Sequence, residues 1–180
     1  ADRAIFAPLG MASTHFHDEP HHIIHNRVVS YTGSGDNLRI SYIQNFDKIG
    51  AGGLYSTLGD LAKWDANFYD RKVGGELFHR LMHTRGVLND GDTLTYAFGN
   101  NVQQHRGLPI VRHGGSLMGF RSDLVRFPRE RFSVITLCNQ GSIDPGALAD
   151  QVAELYLGDR LQPRTQNTAA AEARTRTRAQ

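Results

Sequence analysis

Two runs of this 180-residue chain hold residue types that do chemistry at usable spacing. The first is His113-Gly114-Gly115-Ser116-Leu117-Met118-Gly119-Phe120. There a β-rich run ends in a titratable side chain, followed by two glycines and a turn into the next β-rich run. Glycines at such a place let a substrate lie flat against a strand, and the free N–H beyond them can donate to an oxyanion. Taken locally, the same run also reads as a Gly-rich hairpin with an exposed histidine. The second run is His15, His17, His21, His22 and His25, within eleven residues, with Asp18 and Glu19 beside them. Imidazoles so spaced can hold Zn²⁺. We read this stretch as a solvated surface loop and assign no metal and no cofactor.

The elements that must position these residues are legible from periodicity. Ser56 or Thr57 caps a helix, with Asp60 three residues after Thr57 as its capping-box partner. Leu58, Leu61, Trp64 and Phe68 give that helix one apolar face. A second helix is expected over 75–83, with Leu77, Phe78, Leu81 and Met82 as its apolar residues. Short strands are expected around 27–31 and 38–43, then a run of four over 96–102, 108–113, 122–127 and 132–139. The close spacing of those four favours antiparallel hairpins, because parallel pairs need a long crossover. Asp144 and Pro145 open a final helix whose face is read as Leu148, Val152, Leu155 and Tyr156, and Gly158 ends it. The expected fold class is α/β, an antiparallel sheet with the C-terminal helix packed on it. Trp64, Phe68, Phe127 and Phe132 are assigned to the core.

Composition narrows the function classes. Hydrophobic content of 39% and charged content of 21% are ordinary for a globular protein. No apolar run approaches the ~20 residues that cross a bilayer. The tail from Gln162 to Gln180 holds Arg164, Arg174, Arg176 and Arg178 against Glu172 alone. That is +3 of a total of +2, which leaves −1 on residues 1–161. A near-neutral body with a basic, Ala/Thr/Gln-rich tail is not a nucleic-acid footprint. Residues 1–161 are read as one domain and 162–180 as a disordered basic tail or linker. Cys138 is the only cysteine, which excludes an intrachain disulfide and a Cys-based zinc site. It is read as a small core residue.

Four segments in order resemble the β-lactamase-related serine hydrolases, which include class C β-lactamases, D-alanyl-D-alanine carboxypeptidases and family VIII esterases. They are IFAPLGMASTHFHDEPHHIIHNRVVSYT, GAGGLYSTLGDLAKW, HGGSLMGFRSDLVRFP, and FSVITLCNQ with the helix behind it. The resemblance spans roughly residues 5–157 and implies the C-terminal part of a β-lactamase/transpeptidase-like fold. It places His113 where the family has Lys or His, and Gly115 on the family's glycine. It places Ser116 where a backbone N–H forms half of the oxyanion hole. Gly114 stands where many members have Thr or Ser, whose hydroxyl helps hold a substrate carboxylate, so the resemblance leans toward an esterase or amide hydrolase. Gly114 and Gly115 are the implied substrate-binding positions.

One departure is large. The family's nucleophile and its base form Ser-x-x-Lys, yet Asn45, Asp60 and Tyr69 precede Lys48, Lys63 and Lys72 by three. Neither Tyr-x-Asn nor Ser-x-Asn occurs. A serine hydroxyl is unreactive without an adjacent base. The chain is therefore expected to be the C-terminal portion of such a hydrolase, inactive alone, with an N-terminal half of the same domain as its missing partner. The opening residues 1–6 read as a helix entered midway. The expected substrate is a small-molecule or peptide-like acyl compound, and the resemblance implies a periplasmic or secreted setting. The rival reading is a non-catalytic remnant or binding module that keeps half a cleft. A Ser-His-Asp triad is weaker still, since no Gly-x-Ser-x-Gly elbow is present.

Overall fold

A computed structural model describes residues 1–19, 21–41 and 49–164. Lys48, the far end of the strand expected over 38–43, and tail residues 165–180 lie outside the described residues. The chain enters through a π-helical turn, Asp2–Phe6, that tightens into α1 (Ala7–Leu9) and stops at Gly10, whose φ of 69° is left-handed. Four short strands follow: β1 (His15–Phe16), β2 (Ser30–Thr32), β3 (Arg39–Ser41) and β4 (Leu54–Tyr55). They form two small antiparallel pairs, β1 with β4 and β2 with β3.

The helix α2 (Leu58–Asp70) starts where its cap residue predicts. Thr57 Oγ1 accepts the N–H of Asp60 at 3.3 Å. The expected reciprocal half of the capping box is not made. The Asp60 carboxylate is buried and accepts instead from the Ser13 N–H (2.8 Å), the Thr14 hydroxyl (2.9 Å) and Lys63 Nζ (2.8 Å). Burial pushes the Asp60 pKa up, but the bonds from Lys63, Thr14 and Ser13 outweigh it and hold the carboxyl below the usual range. Asp60 thereby ties the entering segment to α2.

The next helix, α3 (Gly75–His83), has the expected bounds but a different face. Leu77 and Leu81 are exposed, and the buried residue is His79. Its Nε2–H donates to the Val73 carbonyl at 3.0 Å, and the rings of Phe68 and Phe78 meet it edge-on. The Val73 bond satisfies Nε2, while the buried Nδ1 has no partner among the described residues, so the enclosing rings offset only part of the cost of burying this histidine.

The four later strands are β5 (Asn101–His105), β6 (Leu108–Leu117), β7 (Phe120–Phe127) and β8 (Phe132–Cys138). They form one antiparallel sheet in sequence order. Relative to expectation, β5 begins five residues later than 96, and β6 runs on through the motif itself. Val111 pairs with Arg126 and Arg112 with Val125, and side chains alternate between the two faces. On one face Ile110, Val125, Phe127 and Val134 pack against the final helix, α4 (Pro145–Leu157), through Ala149, Ala153 and Leu157. On the other face Arg126 pairs with Asp65 of α2 at 2.6 Å and lies 3.6 Å above the Phe68 ring. The sheet is covered by α4 on one side and α2 on the other.

The α4 cap is as expected: Asp144 Oδ1 accepts the Ala147 N–H at 2.9 Å, and Pro145 holds the first turn. The expected apolar face is wrong. Leu148, Val152, Leu155 and Tyr156 are all exposed, Leu155 by 85%. Ala149, Ala153 and Leu157, at four-residue steps, meet the sheet instead. Gly158 ends the helix as expected, in right-handed conformation, and the chain passes through it into a 3₁₀ turn, Gly158–Arg160. Packing continues past 161. Leu161 is buried, and Gln162 exchanges two hydrogen bonds with Arg106, 2.8 Å to its carbonyl and 2.6 Å from its Nε. Replacing Asp144 with alanine is expected to cost about 1 kcal/mol, read as a melting midpoint lowered by roughly 2–4 °C. An unchanged midpoint would show that the cap contributes nothing to α4.

Candidate functional site: an open strand edge

The site is built by a mismatch in length. β5 covers β6 only as far as the Asn101–Arg112 pair. From His113 to Leu117, β6 is paired on its β7 side, and among the described residues no strand pairs with its other edge. The two-residue turn Met118-Gly119 sets the alternation along this stretch. Leu117 faces Phe120 as the closing pair of the hairpin. Counting back, Gly115 and His113 direct their backbone groups toward β7, while Ser116 and Gly114 direct theirs to the open edge. The Ser116 N–H therefore points outward, as an oxyanion donor must. Pro109 falls opposite Gln104, a position where its missing N–H is not called for by β5.

The side chains divide between the faces. His113 stands on the α2 side, exposed, with Nε2 2.9 Å from the Tyr96 hydroxyl and the two rings edge-on at 6.0 Å. Gly114 and Ser116 lie on the α4 side, where a shallow concavity of about 340 Å³ runs between β6 and the start of α4. Gly115, Arg121, Ser122, Asp123, Asp144, Pro145 and Gly146 complete its lining, and His113 is not part of it. Of the four expected site residues, then, Gly114, Gly115 and Ser116 meet at one concave edge, and His113 flanks that edge on the opposite face. The glycines serve the sheet itself. A Cβ on Gly115 would come 2.5 Å from Ser122 Oγ, and one on Gly114 would come 3.2 Å from the Ser122 carbonyl oxygen. Tyr96 was missed by sequence reasoning, which made it the first residue of a strand. Its partner lies 17 residues away, and no local spacing announces the pair.

Two arginines, Arg112 and Arg121, flank the motif, where a strand-edge arginine is ordinarily solvated or free to meet an anionic substrate. Arg112 is neither. Its Nε donates to both oxygens of Asp123, at 2.9 and 3.0 Å. Its NH2 reaches the Gly146 carbonyl at 2.8 Å and Asp150 at 3.0 Å. Burial lowers the Arg112 pKa, but Asp123 and Asp150 outweigh it and raise it above the ordinary value. Burial, with Asp150 and Asp144 nearby, pushes the Asp123 carboxyl up despite Arg112. This network fastens the sheet to α4 just below the open edge. Arg121 folds back to donate to the Met118 and Phe120 carbonyls at 2.7 and 2.8 Å and so braces the turn.

The histidine run is also only partly the solvated loop expected. His21, His22 and His25 are exposed, but His17 is buried. The Tyr55 ring stacks on His15 and meets His17 edge-on. Burial, then Arg27, His15 and His22, lower the His17 pKa. Among the described residues no three His, Cys, Asp or Glu side chains come together as a metal cage.

Comparison with known proteins decides the family. The family model described as Beta-lactamase matches residues 1–158. This chain belongs to the β-lactamase-related serine hydrolases. Among relatives of this chain is a D-aminopeptidase of Gluconobacter oxydans (strain 621H), 28% identical over 160 residues, 89% of this chain and 30% of that protein. The D-aminopeptidase of Brucella ovis is 29% identical over 147 residues, 80% of this chain and 28% of its own length. The chain thus spans less than a third of the length of these curated relatives. Solved structures share its fold. The octameric penicillin-binding protein homologue from Pyrococcus abyssi superposes with a TM-score of 0.71 at 23% identity, over 87% of this chain and 36% of that one. A D-stereospecific amidohydrolase from Streptomyces sp. gives 0.62 at 18% identity, over 85% and 46%.

Proposed function

We propose that this chain supplies the substrate-binding strand and one oxyanion donor of a hydrolase that works through an acyl-enzyme. The observation that carries the reading is the open edge of β6 at Gly114–Ser116, with the Ser116 N–H directed outward beside a concavity. A substrate carbonyl laid along that edge would meet a fixed, preorganised donor, which is worth about 10²–10³ in rate in such sites. Because the N–H is backbone, the Ser116 hydroxyl has no part in the step. His113 flanks the same edge and supports proton transfer or polarises the substrate. The nucleophile and its base, which in this family form Ser-x-x-Lys with a nearby Tyr-x-Asn, come from a segment outside these 180 residues. Gly114 offers no hydroxyl for a carboxylate, which supports an amide or ester over a penicillin-type substrate. The names of the D-aminopeptidase and D-amidohydrolase relatives support an amide of a D-amino acid as the first substrate to try.

The chain alone is expected to hydrolyse neither nitrocefin, nitrophenyl acetate nor D-alanine p-nitroanilide above background. Adding a segment that bears Ser-x-x-Lys and Tyr-x-Asn should restore turnover, together with covalent labelling by a serine-directed phosphonate. Turnover by the purified chain alone, abolished by that phosphonate, would overturn the division of labour. Failure of every such pairing to label would favour a binding module that keeps half a cleft.

A further inference from the structure

We propose that Tyr96 is a positioning residue for His113: its phenol donates to Nε2 and holds the neutral imidazole with its proton on Nδ1. The inference rests on the acyl-transfer reading only for its kinetic consequence. The geometric part stands by itself, on a side-chain hydrogen bond of 2.9 Å at the open edge.

The direction of that bond follows from the two groups. An imidazole nitrogen is a better acceptor than a phenol oxygen, and a phenol is a better donor than a neutral imidazole N–H. A neutral histidine carries one ring proton, so if Nε2 accepts, the proton is on Nδ1. Free neutral histidine favours the opposite tautomer, with the proton on Nε2, so the tyrosine reverses an intrinsic preference.

The backbone around Tyr96 is built to hold the phenol there. The Gly86 N–H donates to the Tyr96 carbonyl at 2.9 Å. The Ala97 N–H donates to the Asn100 carbonyl at 2.8 Å, closing the turn that follows through Gly99, whose φ is 68°. The Val102 N–H donates to the Thr95 carbonyl at 2.7 Å. Residues 95 and 96 are thus folded back onto the start of β5, and β5 begins opposite Arg112, next to His113. The phenol reaches the imidazole from that pinned turn. In consequence His113 enters the reaction as a hydrogen-bond donor through Nδ1–H. Its Nε2 is occupied, so it is not the base that takes the nucleophile's proton.

The test reads the tautomer directly. In ¹⁵N-labelled chain, at a pH where the imidazole is neutral, long-range ¹H–¹⁵N spectra distinguish a protonated from an unprotonated ring nitrogen, and His113→Gln assigns the signal. The expected result is a majority of Nδ1–H in the native chain and a majority of Nε2–H in Tyr96→Phe, which keeps the aromatic ring. A native His113 that is already mostly Nε2–H overturns the proposal, and it does so even if the variant fails to fold. So does a tautomer that Tyr96→Phe leaves unchanged. In the enzyme completed by a Ser-x-x-Lys segment, Tyr96→Phe should lower kcat about five- to tenfold, the size of one neutral hydrogen bond, and move KM by less than about twofold. A reversed tautomer with kcat unchanged overturns the positioning role. A reversed tautomer in an assembly that turns over nothing sinks the acyl-transfer reading and leaves the tautomer assignment standing.

Discussion

Replacing Asp65 with alanine is expected to destabilise the chain by about 3–5 kcal/mol. Arg126 is 2% exposed, and its guanidinium is held between the Asp65 carboxylate, at 2.6 Å from NH2 and 2.7 Å from Nε, and the face of Phe68. Removing the carboxylate leaves an ion buried between sheet and helix with the ring as its remaining described partner. The cost comes from that unpaired charge more than from the lost contact. Asp65→Ala combined with Arg126→Met should therefore recover much of the loss, since an apolar side chain of similar volume can replace a buried pair. Urea unfolding of the three variants decides it. If the double variant proves no more stable than Asp65→Ala, the charge is not the cause.

The second large effect is expected at Gly119, in the turn that closes the site strand. A Cβ there would sit 2.4 Å from the Tyr31 carbonyl oxygen and 2.6 Å from its nitrogen. Neither atom can yield cheaply. The Tyr31 N–H donates to the Asn139 carbonyl at 2.7 Å, and the Tyr31 oxygen accepts the Gly141 N–H at 2.9 Å. Gly119→Ala must break those bonds or bend the turn, at about 3 kcal/mol, which is roughly 6–12 °C of melting midpoint. Gly115→Ala makes the useful contrast. Its close contact is the Ser122 hydroxyl, the free end of a side chain, which can rotate away. A Gly119→Ala midpoint as high as that of Gly115→Ala would mean that Tyr31 is not seated against the turn.

Features governed by one or two adjacent residues were readable from sequence. The Thr57 and Asp144 caps, the bounds of α3 and the order of the later hairpins depend on local chemistry, and all appear. Faces were less readable. On α4, periodicity selects Leu148, Val152 and Leu155 because they are large, yet the sheet takes Ala149 and Ala153. A helix lying close to a sheet needs small residues at the contact, and alanine gives little signal in an apolar count. His79 was passed over for the opposite reason: a polar residue became buried because Val73, six positions earlier, offered it a carbonyl. At the site, Gly114, Gly115 and Ser116 were found because they are contiguous. The pairing of Tyr96 with His113 depends on where β5 starts, which is settled by pairing with β6 and not by local propensity.

The uneven cover of β6 gives one strand two separate mechanical duties. Its first five residues are clamped by β5 along one edge, β7 joins the other edge from Val111 onward, and a helix lies over each face of the sheet. Its last five project like the free end of a beam, stiffened by β7 and the turn but unpaired along the working edge. Changes at Ile110 or Val111 bear on whether the beam is anchored. Changes at Gly114 or Ser116 bear on what the tip can receive. Under the proposed acyl-transfer reading, the tip can be altered to suit a different acyl group while the anchor keeps its pairing with β5. A lineage that kept the clamp could exchange substrates without having to refound its fold.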